Sequence, residues 1–298
     1  MQNNLDYRVA TPKDAPQLVE LMNSQYARKK TEAYFNWQFF NSQYPTILLC
    51  AVDNDKIIGM FGLQKRLLKS GATVGQAIDL LLKPAYRGMG IFKEMGNRVS
   101  EMMPGLDLMC VLPNLNGKNA CEKALGFKVI GKIDSLELSS IHEPKSNYTE
   151  TLFDSHVNDL DQFTYSNNIL HWRFDSNPDY SYKYVRNGKC VFGITKIFED
   201  PITQTRYGDI VNIFCDINEE DAAREIYCLC AEALFKQKVK SVTTWALPNT
   251  NYFKILTGIG FRAKPQERYF CVKVLNSFYE RLNKLENWHL VQSDAEIY

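Results

Sequence analysis

Histidine is scarce, with four in 298 residues, and no two cysteines stand at Cys-x-x-Cys spacing. That argues against zinc fingers and ribbons, which need paired ligands at short intervals. Charge of either sign is not in excess: 35 basic residues face 34 acidic ones, for a formal net charge of +1. Such a balance supplies no basic footprint for nucleic acid or an anionic membrane. No apolar run approaches the roughly 18–20 residues that cross a bilayer. The opening Met1-Gln2-Asn3-Asn4-Leu5-Asp6 has neither a basic nor an apolar leader pattern, so a cytoplasmic protein is expected. The eight cysteines are scattered, mostly among apolar neighbours as in Leu48-Leu49-Cys50-Ala51-Val52, which suits reduced, packed thiols. What is present, 45% hydrophobic and 23% charged residues, is ordinary globular composition and argues against long disorder.

The chain repeats itself. Trp37-Gln38-Phe39 returns as Trp172-Arg173-Phe174, and Pro113-Asn114 returns at the same spacing as Pro248-Asn249. Gly126-Phe127 and Gly59 return as Gly260-Phe261 and Gly193, one residue short of that spacing. Landmarks in order at a near-constant offset predict two similar domains, each of about 140 residues, a usual domain size. The expected division is 1–142 and 143–298, near the polar stretch His142-Glu143-Pro144-Lys145-Ser146-Asn147.

Within the first repeat, strand and helix patterns alternate. Leu5 to Val9 reads as a strand. Thr11-Pro12-Lys13-Asp14 then starts a helix whose buried stripe is Leu18, Leu21 and Met22. Strands are predicted at Ile47–Val52, Ile57–Leu63, Gly75–Leu82, Leu106–Leu112 and Phe127–Ile133. A helix over about Gly90 to Met103 would place Phe92, Met95, Val99 and Met102 on one face. The expected class is α/β (α+β): two tandem domains, each a mixed, mostly antiparallel sheet flanked by helices.

The chemistry concentrates in Ala77-Ile78-Asp79-Leu80-Leu81-Leu82-Lys83-Pro84-Ala85-Tyr86-Arg87-Gly88-Met89-Gly90-Ile91-Phe92. A strand ends at Pro84, a glycine turn follows, and a helix begins. Glycines at 88 and 90 let the backbone turn tightly and present consecutive amides. The helix start adds about half a positive charge, so a phosphate or pyrophosphate fits there without a metal. One repeat length on, Arg87, Gly88 and Gly90 become Ala222, Ala223 and Glu225, preceded by the acidic Asp216-Ile217-Asn218-Glu219-Glu220-Asp221. Those carboxylates would repel a pyrophosphate, so a single phosphate site is expected, in the first repeat.

The segment Arg87-Gly88-Met89-Gly90-Ile91-Phe92 resembles the acyl-CoA-binding motif of the GNAT N-acetyltransferase superfamily, in the form of a tandem bacterial branch. Pro113-Asn114 and Leu125-Gly126-Phe127 fall where that family has landmarks. The resemblance covers residues 5–133 and reaches the second half only through the repeat.

This resemblance implies an opening between the strands at 75–82 and 106–112. Pantothenate would pair with the backbone of Leu80, Leu81 and Leu82, and pyrophosphate would sit on the amides of Arg87, Gly88, Met89, Gly90, Ile91 and Phe92. Asn114 would either bond the pantetheine arm or cap the next helix. Asp79, where the family often keeps a carboxylate, becomes the candidate base for the attacking amine, against a plain strand role. The family's usual tyrosine acid is missing: Cys121 stands near its place in Ala120-Cys121-Glu122-Lys123-Ala124-Leu125. Either Cys121 acts, another tyrosine reaches in, or the thiolate leaves unassisted. Tyr252 and the tail residues Asp294 and Glu296 are acceptor-side candidates. Trp37 and Trp172 read as core aromatics rather than ligand platforms.

Taken together, the expected activity is acyl-CoA-dependent transfer, most naturally acetyl, directly to a primary amine. Acetyl-CoA or another acyl-CoA is the co-substrate, and a small-molecule amine is the partner. The resemblance suggests an amino sugar of surface polysaccharide as acceptor, with small amines, aminoglycosides and peptides still open. A non-catalytic acyl-CoA-binding or scaffold protein is the alternative from another class. Transfer from aminoacyl-tRNA would need a basic groove, and the near-neutral charge argues against it.

Overall fold

The computed structural model describes residues 5–26, 28–140, 160–188, 190–215, 220–248 and 250–295. The stretch expected to join the repeats, 142–147, lies outside them.

Elements of the first repeat are β1 (Asp6–Val9), α1 (Ala15–Asn23), α2 (Glu32–Phe35), β2 (Thr46–Asp53), β3 (Lys56–Leu67) and β4 (Thr73–Leu82). They continue with α3 (Ile91–Met102), β5 (Leu108–Val111), α4 (Leu115–Ala120), β6 (Lys128–Lys132) and β7 (Ser135–Leu138). The second repeat gives α5 (Asn167–Leu170), β8 (Tyr182–Asn187), β9 (Val191–Glu199), β10 (Arg206–Phe214) and α6 (Glu220–Lys236). It ends with β11 (Val242–Thr244), α7 (Asn251–Ile259), β12 (Arg262–Lys264) and β13 (Tyr269–Val274). No helix among the described residues is long and apolar enough to cross a membrane.

Two sheets result, of seven strands (β1-β2-β3-β4-β5-β13-β6) and six strands (β12-β7-β11-β10-β9-β8). The fold is therefore mixed α/β with two mostly antiparallel sheets. The final strands are exchanged: β7 from the first repeat lies between β12 and β11, and β13 from the second lies between β5 and β6. As a result the compact units are not contiguous stretches. One comprises 1–131, 163–179 and 269–283; the other comprises 132–162, 180–268 and 284–298. A sequence division at 142/143 follows the repeat, whereas strand pairing follows hydrogen-bond partners far along the chain.

In the first unit, the helix start at Thr11 is a single 3-10 turn before α1. The Asp14 carboxylate accepts from Thr11 N–H at 2.7 Å and is gripped by two Arg8 nitrogens at 2.7 and 2.8 Å. Leu18, Leu21 and Met22 are buried as the stripe predicts. On α3 the buried face is Ile91, Met95, Gly96 and Val99. Met102, the last residue of the helix, is 42% exposed.

The repeated tryptophans meet within this unit. Trp37 and Trp172 stack with ring centres 4.8 Å apart. Each indole N–H donates to the other's backbone carbonyl, at 2.8 and 3.0 Å. Both are buried, so they are core aromatics whose polar edges are satisfied. A cleft of about 660 Å³ beside them is lined by pairs related by the repeat, among them Asn36 with His171 and Asn41 with Ser176.

Candidate active site

The site is built on the far half of β4. Parallel pairing of β4 with β5 runs only from Val74↔Leu108 to Gln76↔Cys110. Beyond Gln76, β4 continues to Leu82 with pairing to β3 alone, as Met60↔Leu81 and Gly59↔Leu82. The β5-side edge of β4 has no strand partner beyond Gln76 among the described residues. Leu81 packs into the α1–α2 core and Leu82 into the α3 core, so alternate side chains fix the strand from both faces.

A bulge interrupts β4. The register passes from Met60↔Leu81 to Gly62↔Ile78, so Asp79 and Leu80 together stand opposite Phe61. Asp79 adopts φ +49°, a left-handed conformation that aspartate tolerates better than most residues. Such a residue costs of order 1–3 kcal/mol and persists only where its surroundings impose it. Here Tyr34 Oη donates to Asp79 Oδ2 at 2.8 Å. Tyr34 is buried on α2, which Thr31 caps by accepting from Tyr34 N–H. Lys30 Nζ stands 3.7 Å from the Tyr34 ring centre and 2.6 Å from Asp179 Oδ2. Nothing local to Tyr34 in the sequence marks it, because its partner is 45 residues away.

After Leu82 the chain makes a 3-10 turn over Pro84–Tyr86 and reaches α3. Gly88 and Gly90 have φ of +80° and +79°, and Gly90 is the residue that caps α3. A Cβ would meet nothing within 4 Å at either position, so glycine is needed for backbone freedom rather than space. Glu94 N–H closes the first helical turn onto Gly90. The amides ahead of it have no partner inside the helix, as at any helix start.

One expected contact needs correction. Arg87 N–H donates to Pro84 O at 3.2 Å, so the open amides run from Gly88 to Phe92 and exclude Arg87. The Arg87 side chain folds back, with Nε to Leu82 O at 3.2 Å and Nη2 to Gln25 Oε1 at 2.6 Å. It therefore braces the turn. Tyr86 Oη to Asp53 Oδ2 at 2.7 Å anchors the turn's other side, and that bond pushes the phenol pKa up. Met89 is exposed, Ile91 is buried, and Phe92 lies against Phe61 at 5.8 Å.

Asn114 caps α4: its Oδ1 accepts from Gly117 N–H at 3.0 Å. That is the helix-capping alternative, and it leaves only the NH2 end to donate elsewhere. Cys121 is fully buried, and burial pushes its thiol up to about 12.

The second unit repeats the sheet geometry. β10 also carries a bulge, between Ile210 and Asn212, and pairs with β11 over only two positions. Where the first unit has glycines, α6 opens with Glu220 and Asp221 in its first turn. Residues 216–219 of the acidic approach lie outside the described residues. Tyr252 belongs to this unit, with its hydroxyl 3.7 Å from Cys215 Sγ and its ring beside His289. Asp294 also lies here, buried and accepting from Val291 N–H at 2.9 Å. Its carboxylate serves the turn of its own segment. Glu296 lies outside the described residues.

The sequence model of the acetyltransferase (GNAT) family matches residues 15–127. These residues are similar to the GNAT family, and the match covers less than half of the chain. The match includes the bulged β4, the glycine turn and α3. Among solved structures, a GCN5-related N-acetyltransferase of Anabaena variabilis superposes with TM-score 0.62 at 11% identity, covering 92% of this chain and 74% of that one. A GCN5-related glucosamine N-acetyltransferase region of a fungal multi-domain beta-N-acetylglucosaminidase gives 0.60 at 10%, covering 91% of this chain and 38% of that one. The N-myristoyltransferase of Saccharomyces cerevisiae with bound myristoyl-CoA gives 0.58 at 8%, covering 91% and 83%. At such identities the likeness is one of fold. No curated protein matches the sequence.

Proposed function

We propose that this protein transfers an acyl group, acetyl in the first instance, from CoA directly to a primary amine, with a single CoA site in the first repeat. The observation that carries the reading is the turn from β4 into α3. Two left-handed glycines present the amides of Gly88 to Phe92 at a helix start, directly after a strand whose β5-side edge is open beyond Gln76. An anion is favoured there by the unsatisfied amides and the helix dipole together. Leu80, Leu81 and Leu82 would then hold the pantetheine by strand-like pairing. In this reading Asp79 takes the amine proton, and placing both reactants on one strand converts attack into a unimolecular step.

The acceptor we favour is an amino sugar, as the family resemblance suggests. The fold is shared with a region that acetylates glucosamine. Tyr252 is kept as an acceptor-side candidate; Asp294, tied to Val291, is not required. Calorimetry with CoA tests the site. The wild type should bind at micromolar level, Gly90→Glu should weaken binding more than about 100-fold, and Gly90→Ala, which adds strain without charge, should weaken it far less. Glu225→Gly, at the matching place in the second repeat, should leave the affinity unchanged. Equal binding by the wild type and Gly90→Glu would overturn the reading.

A further inference from the structure

The cleft beside the paired tryptophans shares no residue with the acyl-transfer reading and does not rest on it. Its walls come from the two copies of one helical element, α2 and α5 with the residues that follow each. On both walls the helix runs into a π turn. Asn41 N–H donates to Asn36 O at 2.7 Å, and Ser176 N–H donates to His171 O at 3.0 Å, each bond spanning five residues. Turns of this kind are rare and gather at functional sites. Here both partners of each bond line the cleft. We propose that this cleft is a binding site for a neutral saccharide.

The lining has the chemistry for it. Four side-chain amides, those of Asn36, Asn41, Gln43 and Asn168, border the cleft. None of these amide groups is engaged in a hydrogen bond among the described residues. Each offers two donors and a carbonyl acceptor, the mixture that a ring of hydroxyls requires. His171 and Ser176 extend the rim. Asp175 Oδ2 lies 3.0 Å from His171 Nδ1 and orients the imidazole, whose Nε2 is 3.5 Å from Ser176 Oγ. The stacked indoles of Trp37 and Trp172 commit their N–H groups to each other's carbonyls, so what they add to the cleft is apolar surface. A pyranose presents the matching pair, hydroxyls around its edge and C–H groups on its faces.

Other ligand classes fit less well. No lysine, arginine, aspartate or glutamate lines the cleft among the described residues, so a phosphate or carboxylate ligand would find no fixed counter-charge. An extended peptide would need an open strand edge to pair with, and these walls are helical turns. The volume of about 660 Å³ is that of a small-ligand site. Polarity is also held across repeat-related pairs where the residue itself changes, as in Ala33 with Asn168 and Gln43 with Pro178.

Saturation-transfer NMR and calorimetry on the full chain test the proposal. The probes are glucose, galactose and N-acetylglucosamine, their β-linked disaccharides, and glucosamine 6-phosphate as the charged comparison. At least one neutral sugar should bind saturably, with Kd in the millimolar range or tighter. Combining Asn36→Ala with Asn168→Ala removes one amide from each wall and should weaken that binding about 10-fold, the loss expected for two hydrogen bonds. The thermal midpoint and the CoA affinity should stay at their wild-type values, because these amides hold nothing else. If the double variant melts lower, Gln43→Ala, outside both helices, decides in its place, with an expected loss of about threefold. A disaccharide that binds better than its monosaccharide identifies a glycan as the source, and equal affinities identify a free sugar.

Absence of saturable binding by every neutral sugar would overturn the proposal. So would undiminished binding in the deciding variant, or tighter binding of the phosphorylated sugar. A wild type that binds sugar but not CoA would leave this site standing and defeat the acyl-transfer reading instead.

Discussion

The two places where a bulged strand precedes a helix share their sheet geometry and differ in the residues at the helix start. β4 and β10 both bulge, and both pair only briefly with the parallel strand beside them. Toward α3 the first repeat places left-handed Gly88 and Gly90. At α6 the second repeat places Glu220 and Asp221. Acidic residues at a helix start stabilise that helix through its dipole, but they occupy the potential that an anionic ligand would use. On the proposed reading, sheet geometry alone does not make a phosphate site; a few backbone angles and the sign of nearby charge decide it.

The comparison can be sharpened by substitution, beginning with what both repeats build together. Trp37→Ala and Trp172→Ala should each cost about 3–5 kcal/mol, the range for removing a large buried aromatic. Because each indole bonds the other's backbone, the two losses should be similar and the double variant less than additive in denaturant unfolding. Clearly unequal losses would break the symmetry argued from the repeat.

Gly59→Ala and Gly193→Ala come next. A Cβ at Gly59 would stand 2.8 Å from Leu82 Cδ1 and 3.1 Å from Leu81 O, and at Gly193 it would run into Cys230 Sγ. Overpacking of this kind costs typically 1–3 kcal/mol, and both variants should lose stability. Only Gly59→Ala should also weaken CoA binding, since Leu81 and Leu82 lie on the proposed ligand strand. Equal CoA affinity in the two variants would count against that strand.

The smallest effect concerns Asp14, which the Arg8 hydrogen bonds hold well below the usual carboxylate range. A depressed native pKa means stability that is present above the unfolded value, near 4, and lost as the pH falls through the native value. With Arg8 partly exposed, solvent screening limits the effect. Asp14→Asn should cost about 1 kcal/mol at pH 7, and the gap between variant and wild type should close on acidification below about pH 4. A gap independent of pH would point to packing instead.

Much of this was legible in the chain itself. The stripe at Leu18, Leu21 and Met22, the strands around Asp53-Asn54-Asp55-Lys56 and the turn at Gly88 and Gly90 are local patterns, each set by neighbours within a few residues. The repeat was legible too, from landmarks alone. Partners far apart were not. Arg87 looked like part of the amide cradle until its N–H was seen bonded to Pro84 and its guanidinium to Leu82 and Gln25. Tyr34 carries no local signal, because its role comes from a strand 45 residues away.

The sequence alone determined the element types, the doubling and the glycine turn before α3, because helix period, strand alternation and glycine freedom act over short distances. Tertiary structure decided that the last strand of each repeat completes the other repeat's sheet, that the two tryptophans satisfy each other, and that a tyrosine meets the aspartate of the bulge. Hydrogen bonding and close packing select partners by proximity in space, and separation along the chain does not encode it.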